Sequence, residues 1–164
     1  SHGEIVSEFA QFVLPVVNPE LSDFCTQLTS IRQTDIVDAP EFPEALERFQ
    51  AWISDDLQTQ NQPIPKGNKA KITADYLLCS WGFYDRKQLK KDCELHELPT
   101  GWLRHHISVK HQYGEMRGQR KGMGMAKALQ LENIPLEGTH HRGIDDARNI
   151  AKIFLKYFGF WEEK

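Results

Sequence analysis

Residues 139–149 read Thr139-His140-His141-Arg142-Gly143-Ile144-Asp145-Asp146-Ala147-Arg148-Asn149, so two histidines and two aspartates lie where a loop passes into a helix. From this point apolar residues recur at steps of three and four, which predicts a helix with one apolar face from Ile144 to about Phe158. Asp145 and Asp146 fall in the first turn, where the helix dipole favours negative charge. His141 lies just before, in a segment that Gly143 leaves free to bend.

This pairing of a histidine with a carboxylate suits metal-assisted hydrolysis. A carboxylate such as Asp146 can hold a divalent cation, and the His141 imidazole can accept a proton from the attacking water. Acidic residues in the first turn of a helix are also ordinary capping, and histidines before a helix are common. The stretch alone therefore leaves both interpretations open.

The composition is that of an ordinary globular domain. The chain has 164 residues, 40% hydrophobic and 26% charged, which suits one domain with a single core. A net charge of −3 argues against wholesale electrostatic binding of nucleic acid but leaves room for a local basic groove. Cys25, Cys79 and Cys93 lack CxxC spacing and predict reduced thiols in a cytoplasmic protein. No apolar run approaches a membrane span or a signal peptide, so no membrane association is expected.

Hydrophobic patterns predict strands and helices that alternate along the chain. Strands are expected at 4–14, 72–81 and 107–109, and helices at 22–28, 42–53, from residue 85 onward, and at 125–131. The polar stretches 54–71 and 114–124 are predicted to be loops. This alternation is typical of an α/β or α+β domain with a mixed sheet.

A second acidic residue, Asp85, follows the predicted strand at 72–81. The run Tyr76-Leu77-Leu78-Cys79 is continuously apolar, which predicts a strand buried on both faces. Open α/β sheets place their ligands at the carboxyl ends of strands, where Asp85 lies. If the last helix packs against that edge, Asp85 and Asp146 approach a common cation. The simpler interpretation of Asp85 is a helix N-cap, with Gln88 at the capping-box position.

Three segments, in this order, carry a family resemblance: 15–31, 80–87 and 141–147. The last is a histidine, four residues and an aspartate, and Ser80-Trp81-Gly82-Phe83-Tyr84-Asp85 precedes it in the manner of a second acidic motif. Together they resemble the DEDDh family of 3′-to-5′ exonucleases, and within it the exoribonucleases that include RNA-interference regulators and histone-mRNA stem-loop exonucleases. The resemblance implies an α/β domain with an RNase H-like mixed sheet flanked by helices.

The resemblance also implies a metal centre. Asp85 and Asp146 would be metal-binding carboxylates and His141 the general base. The implied cofactors are two divalent metal ions, Mg²⁺ or Mn²⁺, which prefer oxygen ligands. A histidine is the side chain most readily poised near neutral pH to accept a proton from water.

Substrate-binding residues follow from the same resemblance. The family holds the terminal nucleotide with the segment that matches Leu28, Thr29 and Ile31, and it often has glycine where this chain has Ser30. Tyr84 could stack on a base, a contact that is indifferent to sequence. The other interpretation of Tyr84 is packing in the core.

The first motif of the family, an Asp-x-Glu on the opening strand, should lie upstream of Glu4. The Asp-x-Glu of this chain, Asp92-Cys93-Glu94, comes after the second motif. We therefore expect residues 1–164 to be a single exonuclease domain that is incomplete at its N-terminus and lacks its opening strand or strands. If only these residues exist, negligible activity is expected.

The implied function is a 3′-5′ exoribonuclease that hydrolyses RNA phosphodiester bonds from a single-stranded or overhanging 3′ end by a two-metal-ion mechanism. The alternative is a catalytically inactive RNA- or protein-binding relative with the same fold. A third interpretation keeps the catalytic group but replaces the substrate by DNA ends or short oligonucleotides. The sequence indicates no particular protein partner.

Overall fold

The computed structural model describes residues 4–59, 76–119 and 122–158. Helices flank a small parallel sheet, as the α/β prediction requires. In chain order the elements are α1 (Asp23–Thr29), α2 (Gln33–Ile36), α3 (Phe42–Thr59), β1 (Leu78–Ser80), α4 (Tyr84–Leu95), a 3-10 turn (Gly101–Leu103), β2 (His106–Ser108), α5 (Val109–Met116), α6 (Met125–Leu131) and α7 (Gly143–Phe158).

The sheet consists of β1 and β2, joined by a crossover that contains α4. The strands pair in parallel, with Leu78 opposite His106. Strand β1 lies inside the predicted strand at 72–81, of which residues 72–75 lie outside the described residues. Strand β2 begins and ends one residue before the predicted 107–109, because Val109 already begins α5. The prediction that β1 is buried on both faces was wrong. Leu77 is 48% exposed and Cys79 is exposed, since one side of β1 faces an open groove rather than a covering layer.

The core lies where α5, α6 and α7 meet beside the sheet. Helix α7 supplies Ile153, which is fully buried, with Ile150, Phe154 and Tyr157 packed against the same cluster. The apolar face predicted from the sequence included Phe154, but its Ala147 and Ala151 line a groove instead. The other buried members are Val109, Tyr113, Met125, Ala128 and Leu129. Burying a side chain of this size contributes about 1.5–3 kcal/mol. This packing fixes the position of the first turn of α7, which carries the two aspartates.

The predicted helices agree with the structure in kind but not always in extent. The helix at 125–131 matches α6, and those at 22–28 and from residue 144 match α1 and α7 within one residue. The predicted loop at 54–71 was wrong for 54–59, which continue α3, and its remainder lies outside the described residues. The loop at 114–124 was wrong for 114–116, which end α5.

Asp85 is not the N-cap of α4. The N-cap position belongs to Phe83, which makes no side-chain capping bond, and the helix begins at Tyr84. Asp85 therefore lies inside the first turn, where its charge still interacts favourably with the helix dipole. Its carboxylate is free of a capping role and remains exposed.

The strand predicted at 4–14 was also wrong. This segment is irregular apart from one bridge between Leu14 and Glu41. Its alternating apolar residues pack on helix α3 instead of in a sheet: the Phe9 ring lies 5.7 Å from that of Phe49 and 5.6 Å from that of Trp52. A strand needs a neighbouring strand to satisfy its backbone groups, and the described residues place none beside this segment.

Two predictions from composition concern the surroundings of the protein. Among the residues described, no helix is both long and apolar enough to cross a membrane. Cys25, Cys79 and Cys93 are free thiols. A cytoplasmic location stays a prediction.

One buried carboxylate, Glu132, ties α6 to α5 and α7. Its Oε1 accepts hydrogen bonds from the hydroxyls of Tyr113 (2.5 Å) and Tyr157 (2.6 Å) and from Arg117 (3.0 Å), and Lys156 lies 3.3 Å from its Oε2. Burial alone would raise the pKa of Glu132, but the bonds from Tyr113, Tyr157 and Lys156 together hold it below its ordinary value. Arg117, at the edge of a stretch predicted to be a loose basic loop, is thus a structural residue.

We expect Glu132→Gln to lower the free energy of unfolding at pH 7 by about 2 kcal/mol, because hydrogen bonds to a charged group are lost. The folded-state pKa is depressed, so the contribution is present above the ordinary value of 4.5 and is lost as pH falls through the folded-state pKa. Urea unfolding of both proteins at several pH values measures this. If the free energies of unfolding of the two proteins differed by the same amount at low and at neutral pH, the lowered pKa of Glu132 would be contradicted.

Candidate active site

A groove lies between the exposed side of β1 and one side of α7, from Gly143 to Leu155. Its volume is about 600 Å³. Two of its acidic side chains are Asp85, from the first turn of α4, and Asp146, from the first turn of α7. Apolar residues form much of the remaining wall: Ile5, Cys79, Ala147, Ile150, Ala151, Phe154 and Leu155. The two predicted metal-binding acids, distant in sequence, thus face one cavity.

Glu4 is a third carboxylate on this groove. Sequence reasoning did not assign it a role, since the residue was expected inside a regular strand. Its position follows from the irregular path of the N-terminal segment, which no sequence pattern indicated.

Asp146 is held by the loop that precedes its helix. Its backbone N–H donates to the carbonyl of Arg142 (2.8 Å), and its Oδ1 accepts from the backbone N–H of His141 at 3.3 Å. The Nδ1 atom of His140 lies 2.9 Å from the same oxygen. His141 adopts a positive φ of 71°, in the left-handed region that non-glycine residues rarely occupy. The predicted general base is therefore placed beside Asp146 by an unusual backbone turn.

The neighbouring histidine, His140, is a site residue that sequence reasoning missed. Its ring stacks on that of His141, with centroids 3.9 Å apart and planes at 26°. In the parts of the chain that the structure describes, His140, His141 and Asp146 are a group whose potential metal-ligand atoms all lie within 4.8 Å of one another. The doubled histidine was the available signal, but spacing alone does not show that both rings lie near one carboxylate.

Asp145, beside the predicted metal ligand, has a different task. Its Oδ2 accepts from the backbone N–H of Thr139 at 2.9 Å, and its Oδ1 lies 3.2 Å from Nη1 of Arg148. A Cβ on Gly138, which has a φ of +66°, would lie 2.2 Å from Cγ of Asp145. The carboxylate thus occupies space that only glycine leaves open, and it anchors the start of the histidine loop.

The N-terminal segment is tied to this loop and its helix at two points. Arg148 forms a bidentate pair with Glu8, at 2.7 and 2.8 Å, and this hydrogen bonding holds the pKa of Glu8 below its usual value. The guanidinium of Arg142 lies 5.7 Å above the ring of Phe12, a cation–π contact. Residues 4–14 therefore support the loop that carries His141.

The predicted substrate-binding residues lie on exposed or half-buried surface. Tyr84 is 74% exposed, so the interpretation of this residue as core packing was wrong. Leu28 is 39% exposed, and Ile31 is half-buried. Thr29 donates to the carbonyl of Cys25 (2.8 Å) and accepts from the N–H of Ile31 (3.2 Å), so its hydroxyl shapes the turn.

Ser30 ends α1 in the left-handed conformation, with a φ of 60°. Glycine adopts this conformation without a steric penalty. Serine at this position therefore carries the backbone strain that glycine would avoid.

The chemistry of the groove fits hard divalent cations. Asp85, Asp146 and Glu4 offer carboxylate oxygens, the ligands that Mg²⁺ and Mn²⁺ prefer. Asp85 and Glu4 are exposed, so hydrated ions can reach them from solvent.

Comparison with known proteins identifies the class. The sequence profile of an exonuclease family, RNase T, matches residues 1–154. The chain therefore belongs to this exonuclease family. The crystal structure of the nuclease domain of 3′hExo, a DEDDh family member bound to rAMP, is similar with a TM-score of 0.76 and 28% identity over 93% of this chain and 72% of that one. The predicted DEDDh membership and RNase H-like fold are thereby confirmed.

The similar curated proteins are exonucleases of one subgroup. The 3′-5′ exonuclease Snipper of Drosophila melanogaster is 30% identical over 94% of this chain, and ERI1 exoribonuclease 3 of Homo sapiens is 34% identical over 96% of it. The chain spans 55% of the first relative and 44% of the second. DEDDh membership implies divalent metal ions as cofactors.

Proposed function

We propose that this protein is a 3′-5′ exoribonuclease that removes nucleotides from the 3′ end of RNA, with two divalent ions, Mg²⁺ or Mn²⁺, as cofactors. The observation that carries the proposal is the convergence of Asp85 and Asp146 on one groove, with the backbone of His141 bonded to the Asp146 carboxylate. Two carboxylates on separate helices that face one cavity repel each other. Their arrangement therefore does not stabilise the fold.

In this proposal each side chain has a defined task. Asp85 and Asp146 hold the ions, with Glu4 as a further carboxylate on the same groove. When bound, the ions neutralise the negative charge that builds up on phosphate oxygens during cleavage. The His141 imidazole is solvent-exposed and accepts the proton of the attacking water.

We propose that the substrate contacts Tyr84, which precedes Asp85 in the first turn of α4, and residues at the end of α1. Tyr84 offers an aromatic face to a base, and Leu28 with Ile31 offers apolar contact to the terminal nucleotide, while Thr29 holds that turn in shape. RNA is favoured over DNA by the names of the relatives, which include exoribonucleases. A net charge of −3 agrees with recognition of the 3′ end of an RNA rather than of a long stretch of its phosphate backbone.

The proposal is tested on the full-length natural protein with matched RNA and DNA oligonucleotides that carry either a 3′ or a 5′ label. With Mn²⁺ we expect immediate release of the 3′ label and a progressively shortening ladder from the 5′-labelled RNA. EDTA should stop both. His141→Ala should slow cleavage by about 10²–10⁴-fold, the usual contribution of a general base. His105→Ala, which removes another exposed imidazole, should not.

Three results would overturn the proposal. Label release that survives EDTA would show that no metal ion is needed. Salt-sensitive RNA binding without turnover, in the same metal-containing buffer, would instead show the inactive binding relative. Faster cleavage of the DNA oligonucleotide would replace RNA by DNA as the substrate.

A further inference from the structure

The histidine loop carries a donor set unlike that of the groove. The groove offers carboxylate oxygens, whereas His140 and His141 add two imidazole nitrogens beside Asp146. Imidazole nitrogen is a favoured ligand of zinc and other late transition metals, while Mg²⁺ prefers oxygen and keeps its waters. Asp146 thus lies between two environments that select different ions.

The geometry is close to that of a zinc site. Zinc binds imidazole nitrogen at about 2.0–2.1 Å and carboxylate oxygen at about 2.0–2.2 Å, so two ligands of one ion lie within about 4 Å of each other. The potential ligand atoms of His140, His141 and Asp146 already lie within 4.8 Å. Rotation of the two imidazole rings out of their stacked arrangement brings all three side chains onto one ion, with a fourth position left for water.

The contact between His140 and Asp146 is preformed. The 2.9 Å separation of Nδ1 and Oδ1 is a hydrogen bond, so one proton lies between a nitrogen and an oxygen that are both metal ligands. A zinc ion bound to Nδ1 can take the place of that proton, which a neutral imidazole then carries on Nε2. The exposed fractions of the two side chains, 37% and 25%, leave the site open to ions from solution.

The backbone supplies an independent indication. His141 is held at a φ of 71°, a conformation that costs of order 1–3 kcal/mol and occurs where surrounding structure enforces it, often at functional sites. This turn makes two consecutive side chains stack on the same side of the loop, 3.9 Å apart. In extended backbone, consecutive side chains point in opposite directions.

We propose that His140, His141 and Asp146 form a binding site for Zn²⁺ that is distinct from the carboxylate site on the groove and competes with it for Asp146. Zinc bound there withdraws the proposed base and one proposed metal ligand together, so zinc inhibits the nuclease even when magnesium is abundant. The inhibition rests on the proposed function, whereas zinc binding does not.

Binding is measured by titrating the metal-free protein with Zn²⁺ against a chromophoric chelator. We expect the natural protein to have one site that competes with the chelator for Zn²⁺. His140→Gln keeps an amide that can bond to Asp146 but removes the nitrogen ligand. Its zinc affinity should fall by more than the roughly 10–100-fold that loss of even an outer partner costs a metal site. His105→Ala and Asp85→Asn should bind zinc as the natural protein does, since neither residue belongs to the site.

Each other result contradicts the proposal. If the zinc affinity of His140→Gln is unchanged, His140 is not a ligand. His140→Ala repeats this measurement with a side chain that has no amide to bind zinc or Asp146. An equal loss in Asp85→Asn places the zinc on the groove instead. A second experiment measures how Zn²⁺ inhibits RNA cleavage at a fixed Mg²⁺ concentration, in the full-length natural protein and in its His140→Gln variant. The variant should need at least tenfold more zinc for the same inhibition. If no variant cleaves RNA under any condition, the proposed function fails, but the binding titration still decides the zinc site.

Discussion

Asp146→Asn is expected to reduce metal-dependent RNA cleavage by about 10³-fold, which corresponds to about 4 kcal/mol of transition-state stabilisation. The substitution keeps the size of the side chain and an oxygen that can still accept from the backbone N–H of His141. It removes the negative charge that draws a cation to the groove. Loss of charge at the start of α7 costs only about 0.3–1 kcal/mol of stability, so the fold should persist.

The matched control is Glu44→Gln, which removes an acidic charge from the first turn of another helix, α3. Glu44 forms an exposed pair with Arg48 and does not line the groove that contains Asp146. Its variant should cleave RNA as fast as the natural protein. Cleavage rates are compared after circular dichroism has shown that both variants are folded. Full activity of Asp146→Asn would remove this carboxylate from the proposed metal site.

Local patterns predicted the parts of the site that depend on one segment. The periodicity of α7 and the spacing of His141 and Asp146 both lie within one loop and one helix, and the structure places these residues side by side. The position of Asp85 beyond β1 was likewise predictable from one apolar run, although the helix starts one residue earlier than expected. Helical propensity and capping specify an element only to within a residue or two.

The features that failed depend on distant parts of the chain. The segment 4–14 alternates like a strand, but a strand forms only where a partner accepts its backbone hydrogen bonds. His140 acts with Asp146 only because the chain turns at a positive φ, and Gly138 approaches Asp145 only because the loop folds back over its helix. None of these contacts has a period or a motif that a single sequence reveals.

Gly138→Ala is the substitution expected to disturb the histidine loop most. An alanine at a φ of +66° costs about 1–2 kcal/mol, and its Cβ would lie 2.2–2.6 Å from the carboxylate atoms of Asp145. That carboxylate can move only by giving up its bonds to the Thr139 N–H and to Arg148. We expect the free energy of unfolding to fall by about 3 kcal/mol in total and RNA cleavage to fall with it, because the loop carries His141.

Gly118→Ala separates the clash from the backbone strain, because Gly118 has a φ of +65° but nothing within 4 Å of the added Cβ. It should cost only the left-handed penalty of about 1–2 kcal/mol and leave cleavage unchanged. The double variant Gly138→Ala with Asp145→Ala should be more stable than the sum of its single changes predicts, since the second change removes the group that the first displaces. Urea unfolding of the natural protein, of the single variants Gly118→Ala, Gly138→Ala and Asp145→Ala, and of the double variant measures both contributions. Equal losses in Gly138→Ala and Gly118→Ala, together with additivity in the double variant, would show that the Asp145 carboxylate does not hold the loop against its helix.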